Sequence, residues 1–342
     1  MSEAIKRVLN AIEDIKKGKM VVMVDDEDRE NEGDLVYAAT FSTPQMVNFM
    51  AKEARGLICT PMTKEIAKRL ELEPMVKNND SAHETAFTIS VDLATAKTGI
   101  SAIERDACIK ALASPLSTPK DFVRPGHIFP LIAKDGGVLV RTGHTEGSVD
   151  LCTLAGLSPV AVICEIIKDD GTMARRDDLD IFRKKHNLNI VYISDIVEYR
   201  LANEKLIKEI SKEIIEFFDV KVEKINFRDH LNRVHSVIKF YGVHSRANVK
   251  FHNISTDLDL LTNSHKYNTL MEAIEYLKKN SGLLVFLDTK TISKEQAKEY
   301  GIGAQILKHL GVKEINLLTT NKDTEFIGIS GFGLNIAKKI VL

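Results

Sequence analysis

Residues 25–34 read DDEDRENEGD: seven carboxylates (Asp25, Asp26, Glu27, Asp28, Glu30, Glu32 and Asp34) around one cation, Arg29. Crowded like charges repel, so the ordinary fate of such a run is a solvated turn. A helix–loop–helix calcium site is a second use. Counted from Asp28, it has acids at the first, third and fifth positions and Gly33 at the sixth, but Ala39 stands at the twelfth, where a bidentate Glu is needed. The flanks (Val21, Val22, Val24; Leu35, Val36, Tyr37) also read as strand, and that use is rejected. The third use is a shallow site in which a few carboxylates hold one divalent ion beside a bound substrate.

Three other stretches carry compatible chemistry. DFVRPGHIFPLIA sets Arg124 and His127 around Pro125-Gly126, GGVLVRTGHTEGSVDL sets Arg141, His144, Thr145 and Glu146 around Gly143, and VICEII sets Glu165 among aliphatics. Each has a plainer explanation. A His beside a turn is commonly a structural hydrogen-bonder, and Arg141 and Thr145 could be caps. Glu165 is either paired or turned outward, because an ionised carboxylate is costly to bury alone. Together they supply what a metal-assisted acid/base site for a phosphorylated substrate requires.

The elements that must position these groups follow from pattern. The 342 residues suggest two domains, and 44% hydrophobic content suffices for a core in each. A net charge of −1 gives no field favouring nucleic acid or acidic lipid. The N-terminal spacing Ile5, Val8, Leu9, Ile12, Ile15 is that of an amphipathic helix rather than a signal peptide. No run reaches the roughly 20 apolar residues of a membrane span, so the expectation is a cytoplasmic protein. Cys59, Cys108, Cys152 and Cys164 form no C-x-x-C pair and read as buried reduced thiols. The first 200 or so residues alternate strand-like and helix-like segments in an α+β pattern. STPQMVNFMAKEA and SAIERDACIKALAS read as capped helices, the second with a Ser101–Glu104 capping box. TAFTISVDL and PVAVICEII read as strands, and VLVRTGHTEGSVDLCTLAGL as strand, turn and helix. The polar stretch Arg200–Lys205, without Pro or Gly, marks a helical boundary between residues 1–205 and 206–342.

DDEDRENEGD, RPGHIFPLIA, RTGHTEGSVDL and TGISAIERD resemble the motifs of the 3,4-dihydroxy-2-butanone 4-phosphate synthase family of riboflavin biosynthesis, over about residues 1–200. The resemblance implies conversion of D-ribulose 5-phosphate to L-3,4-dihydroxy-2-butanone 4-phosphate and formate, by enolisation, dehydration and skeletal rearrangement with Mg²⁺ (or Mn²⁺). It further implies a three-layer α/β/α sandwich and a homodimer with sites at the subunit interface. On this chain it assigns Glu30 and His144 to the metal, and His127 and Glu165 to catalysis. Arg29, Glu30, Asp34, Arg141, Thr142, Gly143, His144, Thr145 and Glu165 go to the substrate, with the phosphate end at Arg141–Thr145. Thr98 and Cys59 are expected to line the pocket.

EYGIGAQILKHLGVKEINLLTTN, followed by GFGL, resembles the C-terminal part of GTP cyclohydrolase II, a zinc enzyme with three cysteine ligands. Here TDLDLLTNSHKYNTLMEAIEYL has no cysteine where the ligands should fall, and the catalytic segment after GLLVFLD is shortened to TKTISKEQAKEYGIG. His235, His244, His252 and His265 form no recognised zinc set. The expectation is a cyclohydrolase fold without zinc or GTP hydrolysis; residual activity, or a regulatory or assembly role, stands as the alternative.

Overall fold

The structure, a computed structural model, describes residues 2–27, 29–288, 296–320 and 334–342. It divides into two compact units, Met1–Tyr199 and Arg200–Leu342.

The first unit is built on seven strands: β1 (Val21–Val24), β2 (Gly33–Ala38), β3 (Cys59–Met62), β4 (Val91–Leu93), β5 (Phe122–Ile132), β6 (Ala161–Glu165) and β7 (Asn189–Tyr192). They lie in the order β4-β5-β3-β6-β2-β1-β7. β1–β7 and β3–β5 are parallel pairs; the other neighbours run antiparallel. Its helices are α1 (Glu3–Lys16), α2 (Pro44–Phe49), α3 (Lys64–Arg69), α4 (Ala102–Ala113), α5 (His144–Leu154), α6 (Arg176–Lys185) and α7 (Ile193–Asn203), the last running into the second unit.

Strand alternation sorts the side chains into two cores. Val21, Met23, Val36, Ala38, Ala161 and Ile163 pack with Val8, Ile12 and Ile15 of α1, Leu151 of α5 and Ile196 of α7. Val22, Val24, Leu35, Tyr37, Val162 and Cys164 pack with Val47 of α2, Ile109 and Leu112 of α4 and Leu179 of α6. The result is the three-layer α/β/α sandwich. Each fully buried aliphatic side chain contributes roughly 1.5–3 kcal/mol, so the sheet cannot shift register cheaply. All four cysteines are buried and unbridged.

Three local expectations change. The Val138–Thr142 stretch is no strand: residues Gly137–Leu139 form a 3₁₀ turn. Gly136 and Gly137 hold positive φ there, and the Val138 N–H donates to Asp150 Oδ2 at 2.8 Å. Of TAFTISVDL only Val91–Leu93 is a strand. Ser101 caps α4 by accepting from the Glu104 N–H, but Glu104 does not complete the box. Its carboxylate takes the N–H groups of Lys97 and Gly99 and the Thr98 hydroxyl instead.

Among the described residues, the second unit is another seven-stranded mixed sheet: β8 (Ile207–Phe217), β9 (Val220–Asp229), β10 (Val234–Lys239), β11 (Arg246–Asn253), β12 (Leu283–Leu287), β13 (Glu314–Thr319) and β14 (Asn335–Val341). The order is β14-β13-β11-β12-β10-β9-β8. Two helices follow β11, α8 (Asp257–Thr262) and α9 (Ser264–Asn280); α9 covers one face, its Leu270, Ala273, Ile274 and Leu277 packing on Ile238 and Leu284. His235 is structural: Asp229 Oδ2 lies 3.2 Å from its Nε2, and its Nδ1 accepts from the Asp288 N–H. Most of the shortened TKTISKEQ stretch and the Gly-Phe-Gly of GFGL lie outside the described residues.

Candidate active site

The acidic loop is folded around one of its own carboxylates. Asp25, fully buried, accepts from the Glu32 N–H at 2.8 Å through Oδ1. Its Oδ2 accepts from the Glu30 N–H at 3.1 Å and from Arg29 Nη1 at 2.8 Å. Arg29 Nη1 also lies 2.7 Å from Glu30 Oε2. Further positive charge arrives from α6 and the residue before it. Arg175 Nη1 donates to the carbonyls of Glu30 and Asn31 at 2.6 Å each, and Arg176 pairs with Glu27 at 3.0 Å. Arg175 and Arg176 are some 145 residues from the loop in sequence, and no local signal announces them.

The next groups come from the sheet and the start of α5. In the antiparallel β2–β6 register Asp34 stands opposite Glu165, which puts both carboxylates on one face. Glu165 Oε2 accepts from the Leu57 N–H at 2.8 Å. Gly56 permits that approach, since a Cβ there would sit 2.5 Å from Glu165 Oε2. α5 crosses the same face and delivers His144 from its first turn. His144 Nδ1 is 3.8 Å from Glu30 Oε2, and its Nε2 is 3.9 Å from Asp34 Oδ1. A cleft of about 180 Å³ results, lined by Arg29, Glu30, Asp34, Cys59, His144 and Glu165 among others.

The electrostatics are those of carboxylates crowded around one imidazole. Burial pushes the Asp34 carboxyl up; His144 opposes this, Glu165, Glu30 and Glu32 reinforce it, and it reaches about 8. Burial would lower His144, but Asp34, Glu30 and Asp25 outweigh it and lift the imidazole to about 9. Glu30, despite its own desolvation, is held down to about 2 by His144 and Arg29. Asp34 Oδ1 and His144 Nε2 are buried without a hydrogen-bond partner. Native proteins rarely leave such atoms unpaired, so the pair marks where another group belongs.

A divalent cation fits. Asp25, Glu30 and His144 offer ligand atoms all within 4.8 Å of one another. Because both Asp25 oxygens already accept hydrogen bonds that shape the loop, Glu30 and His144 are the freer pair. Sequence reasoning named those two and missed Asp25 as the loop's organiser.

Not every expected residue enters the cleft. Thr145 lines it, while Gly143 precedes α5 as its N-cap and Thr142 stands just before that. Arg141 lines it too, but its guanidinium already serves Glu146, His83 and Thr85. His127, 43% exposed on β5, lies outside it; the Asp92 carboxylate fixes its ring, with Oδ2 2.8 Å from Nδ1. Thr98 is bonded to Glu104 and also lies outside. His83, not singled out in the sequence, stands 3.9 Å from Glu30 Oε1.

A mixed-sheet sandwich with a carboxylate–imidazole cleft at the start of a helix defines a small-molecule enzyme with a divalent-cation site as its natural complement. The family model for 3,4-dihydroxy-2-butanone 4-phosphate synthase matches residues 9–199. The relative from Sulfurospirillum multivorans bearing that name is 62% identical across 98% of this chain and 94% of its own. The one from Wolinella succinogenes is 56% identical across 99% and 97%. The crystal structure of RibBX, a two-domain 3,4-dihydroxy-2-butanone 4-phosphate synthase from A. baumannii, superposes with a TM-score of 0.81 at 38% identity, covering 98% of both chains. A structure of the synthase in complex with two magnesium ions matches 58% of this chain and 97% of its own, at 40% identity and a TM-score of 0.56. The chain therefore belongs to the 3,4-dihydroxy-2-butanone 4-phosphate synthase family, enzymes of riboflavin biosynthesis. Residues 288–341 match the GTP cyclohydrolase II family, which makes the second unit cyclohydrolase-like. Among the described residues no helix is long and apolar enough to cross a membrane.

A ligating imidazole must be neutral, so ion binding has to expel the proton that His144 holds below about 9. Affinity for Mn²⁺ should thus fall as pH drops, by up to about tenfold per unit. Calorimetric titration in two buffers of different ionisation enthalpy, near pH 7.5, should register about one proton released per ion, from His144. Identical heats in both buffers would contradict this.

Proposed function

We propose that residues 1–205 convert D-ribulose 5-phosphate to L-3,4-dihydroxy-2-butanone 4-phosphate and formate, by enolisation, dehydration and skeletal rearrangement. The observation that carries the reading is the pair of buried, unpartnered atoms Asp34 Oδ1 and His144 Nε2 beside Glu30. Glu30 and His144 would hold Mg²⁺ or Mn²⁺, which supplies Lewis-acid polarisation of a ketone and neighbouring hydroxyl. Arg29, by gripping both Glu30 and Asp25, keeps the loop carboxylate aimed inward. Glu165 has one oxygen bound to the Leu57 N–H; its carboxylate is the proposed proton acceptor. Asp34, whose Oδ1 faces His144 Nε2, is assigned to the substrate beside the ion. The phosphate end is assigned to Thr142, Gly143 and Thr145 at the start of α5, where the helix dipole favours an anion. Arg141, with four of its five N–H groups engaged within the chain, would add its positive charge there.

His127 requires a second molecule in this reading. Asp92 accepts from its Nδ1, which leaves Nε2 facing outward for proton transfer. It lies outside its own chain's cleft, so a homodimer in which each chain lends His127 to the other's site accounts for both its exposure and its fixed orientation. The second unit is proposed not to hydrolyse GTP. The chain has no cysteine after Cys164, and a soft-ligand zinc site cannot be rebuilt from absent thiolates.

Purified protein with ribulose 5-phosphate and Mg²⁺ should release formate, and with GTP in metal-replete buffer should release none. Glu30→Gln should lower turnover by at least about a thousandfold with the fold intact. Formate from GTP, or a Glu30→Gln variant near wild-type rate, would overturn the respective assignment. Mixing the separately inactive His127→Ala and Glu30→Gln chains should restore about a quarter of wild-type activity, because half the dimers are mixed and each has one complete site. No recovery in verified mixed dimers would contradict the shared site.

A further inference from the structure

Residues 79–87 line a broad depression of about 1060 Å³ that shares Glu30, Thr85 and Phe87 with the smaller cleft. The segment is a compact turn. Asn79 Oδ1 accepts from the Ser81 N–H and hydroxyl, Asn79 Nδ2 donates to the Thr85 carbonyl at 2.9 Å, and the Glu84 N–H donates to the Ser81 carbonyl. One side chain ties this turn down. Arg141 Nε and Nη2 donate to the His83 carbonyl at 3.3 and 2.8 Å, and Nη2 also reaches Thr85 Oγ1 at 3.3 Å.

Arg141 is itself anchored. Its Nη1 donates to Glu146 Oε2 at 2.6 Å, and the other oxygen of that buried carboxylate takes the Lys134 N–H at 3.0 Å. Gly143 makes the pair possible: a Cβ there would sit 2.2 Å from Arg141 Nη1 and 2.9 Å from Glu146 Oε2. A guanidinium has five N–H groups in a fixed fork, and these contacts engage four of them. The turn is therefore held both by its own Asn79 and Ser81 hydrogen bonds and by a chain of contacts that runs through Arg141 to the buried Glu146 carboxylate.

The consequence falls on Glu30. His144 approaches its Oε2 and His83 Nδ1 approaches the other oxygen, Oε1, at 3.9 Å. His83 stands outside the three-residue convergence of Asp25, Glu30 and His144. A carboxylate that ligates through one oxygen needs a donor on the other to fix its orientation. We infer that residues 79–85 form a strap latched by Arg141, and that His83 on this strap is a positioning residue for Glu30. The inference rests on the metal-site reading above.

The test uses the full chain with His83→Ala and His83→Gln. His83 is 44% exposed, so neither change threatens the core. Titration of the protein with Mn²⁺ alone should show about tenfold weaker binding for His83→Ala. Turnover at saturating Mn²⁺ should fall by a similar factor, with KM for ribulose 5-phosphate little changed. His83→Gln, whose amide can donate to Glu30, should recover most of both. Wild-type Mn²⁺ affinity in His83→Ala would overturn the inference, and so would failure of His83→Gln to recover, which would make the imidazole a ligand and not an orienting group. His144→Ala separates the two levels. If it loses Mn²⁺ while His83→Ala does not, the strap role alone fails; if it too binds normally, the metal-site reading fails.

Discussion

The register of β2 against β6 is the constraint on which the site depends. It sets Asp34 opposite Glu165 on the face crossed by α5. A slip of one residue would turn either Val36 or Ile163 out of its core, and put Asp34 and Glu165 on opposite faces. The apolar pairs Leu35↔Cys164, Val36↔Ile163 and Tyr37↔Val162 hold that register with side chains that have nowhere else to go. α5 is pressed close: a Cβ on Gly147 would lie 2.7 Å from Met23 Sδ on β1. Hydrophobic packing thereby holds together polar groups that would not gather on their own.

Once gathered, those groups are unbalanced. Asp34 and His144 are both displaced upward in pKa, and each leaves a buried atom unsatisfied. A divalent ion would relieve the carboxylate repulsion and occupy the gap in one step, while neutralising the imidazole. The acidic loop looks excessive in sequence because its charges have different work. Asp25 builds the loop, Glu27 and Glu32 meet Arg176 and Arg175, and Glu30 and Asp34 face the cleft.

Much of this was legible in the sequence. The strands flanking the acidic loop, the Glu165 strand and the helix after Gly143 follow from periodicity and glycine placement. His144 and Glu165 stand out because polar residues of those types in such settings need a reason, whereas Glu30 is distinguished from the loop's other carboxylates by the family resemblance. What escaped the sequence was long-range geometry. Nothing local marks Arg175 as a brace for the loop, Asp25 as its centre, or His83 as a neighbour of Glu30. The Val138–Thr142 run has strand composition, yet the positive φ values of Gly136 and Gly137 turn it into a 3₁₀ step that aims Arg141 at the 79–85 turn. Arg141 illustrates the limit best: sequence reasoning assigned it to a phosphate, and the structure shows four of its five N–H groups already engaged within the chain.

The central claim is that one carboxylate from the loop and one imidazole from α5 meet on a single cation. Crystals grown with Mn²⁺ and measured for anomalous scattering address it directly. The account predicts a peak within about 2.0–2.4 Å of both a Glu30 oxygen and a His144 ring nitrogen, lost in His144→Ala crystals. Strong anomalous density elsewhere, with none between Glu30 and His144 under saturating Mn²⁺, would contradict it.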